Sequence, residues 1–292
     1  MAEADELQRE LLSRQNGDGG WGYQNATSWT EPTALALLAL EASDASGTAH
    51  ERGCRWLLRH QRIDGGWPPN PTVGISTSVT SFASLALSTA FHSSAPYHGA
   101  LHWIVSQIKP DLGPIGKLEF WLGSLPAVEA TAGGSPWFPG TAAWVAPTCM
   151  AILALSAAVR LGNRPILQKE VARAQQYLLS RRCFDAGWNH GGTQFRSERA
   201  ESYPETTGMA LVALQGFPSA ELTRSLEAAQ NMQQSPGSSE AQSWLHLASL
   251  RHGQKPATPG LDLPWRTTRD LALRLLALTA ANPANRLRVI AA

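Results

Sequence analysis

The sequence predicts an all-α fold: an α/α toroid of about six helical hairpins, arranged as an inner and an outer ring of helices. Three observations carry this expectation. Amphipathic segments alternate with segments that are apolar on nearly every side. A polar, glycine-rich turn ending in tryptophan recurs between them, as QNGDGGWGY from Gln15, QRIDGGWPP from Gln61 and RRCFDAGWN from Arg181. The unit is roughly 40–50 residues long, the period of stacked helical hairpins.

The units follow in order. A helix with one apolar stripe lies at a surface, whereas one that is apolar all round is buried all round. ELQRELLSRQ (Glu6 to Gln15) has Leu7, Leu11 and Leu12 on one face and reads as an outer helix. EPTALALLALEA (Glu31 to Ala42) is apolar on nearly every side and reads as an inner one. Its Pro32 suits a first helical turn, and Glu31 suits the positive end of the helix dipole. The second unit pairs ERGCRWLLRHQ (Glu51 to Gln61) with STSVTSFASLALSTA (Ser76 to Ala90). The third pairs YHGALHWIVSQI (Tyr97 to Ile108) with VAPTCMAILALSAA (Val145 to Ala158), across a long insertion. The fourth pairs EVARAQQYLLSRR (Glu170 to Arg182) with ETTGMALVALQG (Glu205 to Gly216). Two degenerate units close the chain, ending on RTTRDLALRLLALTA (Arg266 to Ala280). Six inner helices and about five outer ones can be counted. A closed ring is expected over an open superhelix, because the inner helices keep no polar face for water. One domain over residues 1–292 accommodates all of them.

Composition narrows the function classes. Lys plus Arg is 24 and Asp plus Glu is 23, a net charge of +1, which argues against nucleic acid and anionic surfaces as partners. Cys54, Cys149 and Cys183 are odd in number and widely spaced, which is not a disulfide framework. Free thiols in a reducing compartment fit better. MAEADELQRE has neither a basic n-region nor an apolar h-region. Apolar runs such as ALALLAL from Ala34 are too short to span a bilayer. The expectation is a cytoplasmic protein, with room for peripheral membrane contact through the apolar insertion.

The recurring turn has a structural rationale. Paired glycines let the chain reverse after the outer helix. The Asp carboxylate can accept backbone N–H groups there. The tryptophan can fill the space between hairpins while its indole N–H finds a carbonyl. Gln15, Asp18 and Trp21, then Gln61, Asp64 and Trp67, then Asp185 and Trp188 are therefore expected to be staples of the repeat.

A Gln-terminated helix, then DGGWGY or DGGW, then a TALALLAL-type helix resembles the QW repeat of the squalene–hopene cyclase and protein prenyltransferase superfamily. Gln15 to Trp21 and Gln61 to Trp67 match it best. FDAGWN at Phe184 to Asn189 is a weaker copy, and Trp137 in GGSPWFPG is weaker still. The resemblance implies an α/α toroid with an apolar central cavity and an isoprenoid-like apolar small molecule as ligand. The catalytic signatures do not come with it. Cyclase members protonate an alkene with an Asp in a DxDD motif just before an inner helix, and no DxDD occurs in this chain. Glu31 and Glu205 stand where those acids would sit. Prenyltransferase members hold zinc with Asp, Cys and His, but no D-x-C pair occurs here. Cys183, Asp185 and His190 lie close in sequence without a recognisable ligand framework, so no metal and no cofactor are expected.

Trp29, Trp144, Tyr203 and Trp265 precede inner helices at comparable positions, which predicts an aromatic mouth to the ring. Such rings also serve as ordinary packing. The insertion from Lys117 to Phe138 adds Phe120, Trp121 and Trp137, as a lid or a membrane-facing entrance. Carbohydrate-active toroids need paired carboxylates in a polar cleft, whereas the acids here sit mostly on outer helices and turns. Two functional readings stay open. In one, the toroid binds an apolar isoprenoid-like molecule, with Glu31 or Glu205 as the acid of a cyclisation or isomerisation. In the other, it is a catalytically silent scaffold for a protein partner that the sequence does not identify.

Overall fold

In a computed structural model that describes residues 2–24, 27–110, 121–122, 132–162, 164–191, 194–195, 198–257 and 261–288, helices dominate. They are α1 (Ala2–Ser13), α2 (Thr30–Ala42), α3 (Thr48–His60), α4 (Thr80–Phe91), α5 (Ala95–Gln107), α6 (Val145–Leu161), α7 (Pro165–Ser180), α8 (Pro204–Ala213), α9 (Ser219–Gln233), α10 (Ser239–Arg251) and α11 (Thr268–Leu278). Helices α2, α4, α6, α8, α10 and α11 each pack on the next, and α11 packs on α2. That is a closed inner ring. Helices α1, α3, α5, α7 and α9 form the outer layer. Ahead of α11 the described residues contain no outer helix. The chain folds as an α/α toroid.

The two layers differ as their sequences require. In α2 every residue from Pro32 to Ala42 is buried, with Leu35, Leu37, Leu38 and Leu40 fully so. In α3 only Gly53, Cys54, Trp56 and Leu57 are buried. Alternating alanine and leucine lets inner helices approach on all sides, while one apolar stripe seats an outer helix.

The units are stitched at one end of the ring by a repeated backbone bond. The segment entering an inner helix donates an N–H to the turn of the following unit. Thr30 donates to the Pro69 carbonyl (2.8 Å), Ser78 to that of Trp137 (3.1 Å) and Val145 to that of His190 (3.1 Å). Thr268, entering the last inner helix, donates to Tyr23 of the first unit (2.7 Å), which closes the circle. Side chains reinforce the closure: Arg269 pairs with Glu31, Arg286 with Glu41, and Asn282 Nδ2 donates to Asp44.

Each turn is built the same way. Gln15 Nε2 donates to the Gly19 carbonyl (2.9 Å) and to Ala49 of the next unit (2.7 Å). Gln61 Nε2 repeats this with Gly65 and Pro96, both at 2.7 Å. Asp18 accepts from the Gly20 N–H, the Ser28 hydroxyl and the Trp56 indole. Burial by itself would raise its pKa, but these donors outweigh it and hold the carboxyl below its ordinary value. Asp64 accepts from Gly66 and Ser76, and Asp185 from Gly187 and Ser202. The indoles of Trp21, Trp67 and Trp188 are fully buried and donate to Leu11, Leu57 and Leu178 of their own outer helices. Their backbone N–H groups donate to Thr33, Thr80 and Thr207 at the starts of their own inner helices.

In the third unit Ser135, not Trp137, makes this bond, its N–H meeting Thr148 Oγ1 at 2.9 Å. A short antiparallel sheet sets that register: β1 (Lys109–Pro110), β2 (Gly133–Pro136) and β3 (Ala143–Trp144), in the order β1-β2-β3 with Ser135 opposite Trp144. A ring from the next outer helix also presses on each turn. Added Cβ atoms at Gly20, Gly66 and Gly134 would lie within about 3 Å of Trp56, Trp103 and Tyr177, too close to tolerate.

Gly65 has φ +86, and a Cβ there would meet the Gly99 carbonyl oxygen at 2.5 Å. In the FDAGW copy the same position is Ala186, held at φ 69. An L-residue in the left-handed region costs about 1–2 kcal/mol, and glycine's extra unfolded-state freedom about 0.4–1 kcal/mol. Ala186→Gly is therefore expected to stabilise the protein by about 0.5–1 kcal/mol. Denaturant unfolding checks it, and a lower midpoint would show that Ala186 is not strained.

Candidate functional site

Trp29, Trp144 and Tyr203 are the residues immediately before α2, α6 and α8, each in extended backbone with φ −125, −131 and −118. This repeated geometry places them at the same end of the ring, at the N-termini of the inner helices. Trp29 is half-buried and meets Tyr23 edge-on at 5.5 Å. Trp144 and Tyr203 are 39% and 44% exposed, and His190 lies between them with ring centroids 6.0 and 5.3 Å away. Neighbouring inner helices thus present an open aromatic ledge. Trp265 stands two residues before the cap of α11 and turns to the outer wall. The Arg14 guanidinium covers its ring at 4.6 Å from the centroid. Trp121 is 81% exposed, and Phe120 lies outside the described residues.

The two acids sit in different surroundings. Glu31 Oε1 accepts from Arg269 Nε at 3.0 Å, and its Oε2 accepts from the Tyr23 hydroxyl. The other edge of Arg269 forms a two-point fork with Glu240. Burial would lower the Arg269 pKa, but the two carboxylates outweigh it and raise it further. Burial and then the charge of Glu31 push the Tyr23 phenol well above its ordinary range, so it remains a donor. Both oxygens of Glu31 are thus occupied as acceptors. Glu205 is half-buried in the first turn of α8, beside Tyr203. Among the described residues no hydrogen bond or ion pair reaches it.

The thiols are not poised for chemistry. Cys54, Cys149 and Cys183 are buried, and burial raises each pKa, that of Cys54 to about 12 with help from Glu41 and Glu51. Asp185 is committed to its turn, and His190 stands at the ledge. Among the described residues, no group of three or more His, Cys, Asp and Glu side chains is placed to hold a metal ion. No helix there is long and apolar enough to cross a membrane.

Sequence reasoning missed Tyr23, Arg269, Glu240 and the ring role of His190. Tyr23 had a signal, since it ends the first DGGWGY, two residues after Trp21. Arg269 had none, as it lies 238 positions from Glu31.

No family model matches the chain. Lanosterol synthase of Mus musculus is 35% identical over 29% of this chain and 14% of that protein. The matched segments span 11–14% of the length of the curated relatives, which are lanosterol, protostadienol and drimenyl diphosphate synthases. A type II terpene cyclase from Scytonema, solved with geranylgeranyl dihydroxybenzoate as substrate, superposes with a TM-score of 0.59. It is 15% identical, and 97% of each chain is covered. An inactive variant of an α-1,6-mannanase from Salegentibacter sp., solved with α-1,6-mannotriose, superposes with a TM-score of 0.65. It is 9% identical, over 96% of this chain and 98% of that one. The structural likenesses are of fold. With the cyclase-like sequence segments, they make the chain squalene-cyclase-like at the superfamily level.

Proposed function

We propose that the toroid binds an apolar, isoprenoid-like molecule at the N-terminal mouth of the inner ring. The observation that carries this reading is the ledge of Trp144, His190 and Tyr203, where two aromatic side chains of neighbouring inner helices stay partly open. Open rings at a ring mouth suit apolar chains and steady passing positive charge. The isoprenoid carried by the Scytonema neighbour supports the ligand class. If the bound molecule reacts, Glu205 is the acid that fits. It stands beside the ledge without a partner among the described residues, whereas Glu31 already accepts from two donors. Glu205 would give its proton to an epoxide oxygen or an activated alkene, leaving a carbocation that ring closure and loss of another proton resolve. The occupied Glu31 favours a silent toroid, which either holds such a molecule without turnover or serves as a scaffold for a protein partner.

The test is incubation with squalene, oxidosqualene and a geranylgeranyl compound, with product analysis and binding read from tryptophan fluorescence. Wild type is expected to bind at least one of them, and Tyr203→Ala to weaken that binding about tenfold. Glu205→Gln is expected to keep binding and lose any product. Binding without product in the wild type selects the non-catalytic reading. Absence of binding to all three discards the isoprenoid ligand and leaves the scaffold reading.

A further inference from the structure

A second recess lies on the outer wall, away from the mouth. Along α5, His98, Leu101, His102 and Val105 fall at helical spacing on one face. They look onto Arg164 and Ile166 at the turn into α7, and a cavity of about 460 Å³ opens between the two. That size lies in the range of small-molecule sites. Its apolar side is unusual for an outer surface, since Ile166 is 72% exposed.

The polar side carries the argument. Arg164 Nη1 lies 3.4 Å from His98 Nδ1, and His102 stands exposed on the same helix face. Among the described residues no carboxylate comes within ion-pair distance of Arg164, His98 or His102. Another arginine-lined recess, beneath α3, differs. There Arg52 and Arg59 donate to turn carbonyls and Arg55 pairs with Glu51. The hydroxyl of the buried Tyr97, next to His98, also lacks a hydrogen-bond partner and lies in the field of Arg164. A cationic group with no acid opposite it, in a recess also lined by Leu101, Val105 and Ile166, is complementary to an anion with an apolar tail.

We propose that the recess between α5 and the start of α7 binds a single-chain amphiphile with a carboxylate head, of the fatty-acid type. The head sits at Arg164, His98 and His102, and the chain lies over Leu101, Val105 and Ile166. The site is independent of the ligand proposed for the ring mouth.

The experiment titrates the whole protein with a dansyl-labelled undecanoic acid, followed by competition with dodecanoate and with dodecanol. One saturable site is expected, displaced by dodecanoate and not by dodecanol at equal concentration. Arg164→Gln should weaken it about tenfold, the worth of a charge-assisted hydrogen bond. His102→Glu, at an exposed position where folding is not at stake, should abolish it by like-charge repulsion. Tyr203→Ala should leave it unchanged, which separates this site from the mouth. The proposal is overturned by the absence of saturable binding, by equal displacement with dodecanol, or by full binding in His102→Glu. It is also overturned if the protein sediments with anionic vesicles and takes up no monomeric probe, because the recess would then meet a membrane surface.

Discussion

Replacing Trp67 with alanine is expected to lower the unfolding free energy by about 3–5 kcal/mol, the cost of emptying a fully buried aromatic site. Its indole has no exposure and donates to the Leu57 carbonyl at 2.7 Å, while its backbone N–H donates to Thr80 at 2.8 Å. The side chain therefore ties the outer helix of a unit to its turn, and the backbone ties that turn to the inner helix. Removing the ring forfeits its packing and leaves the Leu57 carbonyl without its donor. Trp67→Phe separates the two effects. It keeps most of the apolar volume and loses the N–H, a cost of about 1–3 kcal/mol. Ile63, in the same turn but fully exposed, is the control, and Ile63→Ala should fall within about 0.5 kcal/mol of wild type. Urea unfolding monitored by helical circular dichroism reads all three. If Trp67→Ala matched Ile63→Ala, the turn would not be a staple.

Arg269→Ala is the second large effect, expected to destabilise by about 3–5 kcal/mol. The guanidinium sits between Glu31 of the first inner helix and Glu240 of the fifth, and its own helix is the sixth, so one side chain joins three neighbours at the ring closure. Side-chain exposure is 18% for Arg269, 13% for Glu31 and 27% for Glu240. That is low enough for the loss to leave two carboxylates poorly solvated and facing each other. Arg269→Lys should recover only part of the stability, because an ammonium cannot serve both acids with a planar fork. Adding Glu31→Gln and Glu240→Gln to Arg269→Ala should return most of it, since the cost is unpaired charge. A loss below about 1 kcal/mol would mean that the cluster behaves as a solvated surface pair.

The sequence by itself determined the inner and outer layers and the turn between them. Apolarity on every face of Pro32 to Ala42 and a single stripe on Glu51 to Gln61 are properties of a helix's own residues. So are the Asp, Gly and Trp of each turn, whose bonds reach mostly within a dozen residues. Such local features survive in sequence because backbone geometry alone imposes their spacing. What the tertiary structure decided is what meets across the ring. Ser135 holds the place that Trp137 was expected to hold, because strand pairing with Trp144 sets the register. Trp265 faces Arg14 on the outer wall, because α1 packs beside α11. Glu31 accepts from Arg269, because closing a six-helix circle brings the two ends of the chain's helical order into contact. No period or motif encodes these pairings. They arise when the last unit docks on the first, and the same docking gives two glutamates in similar sequence surroundings different chemistry.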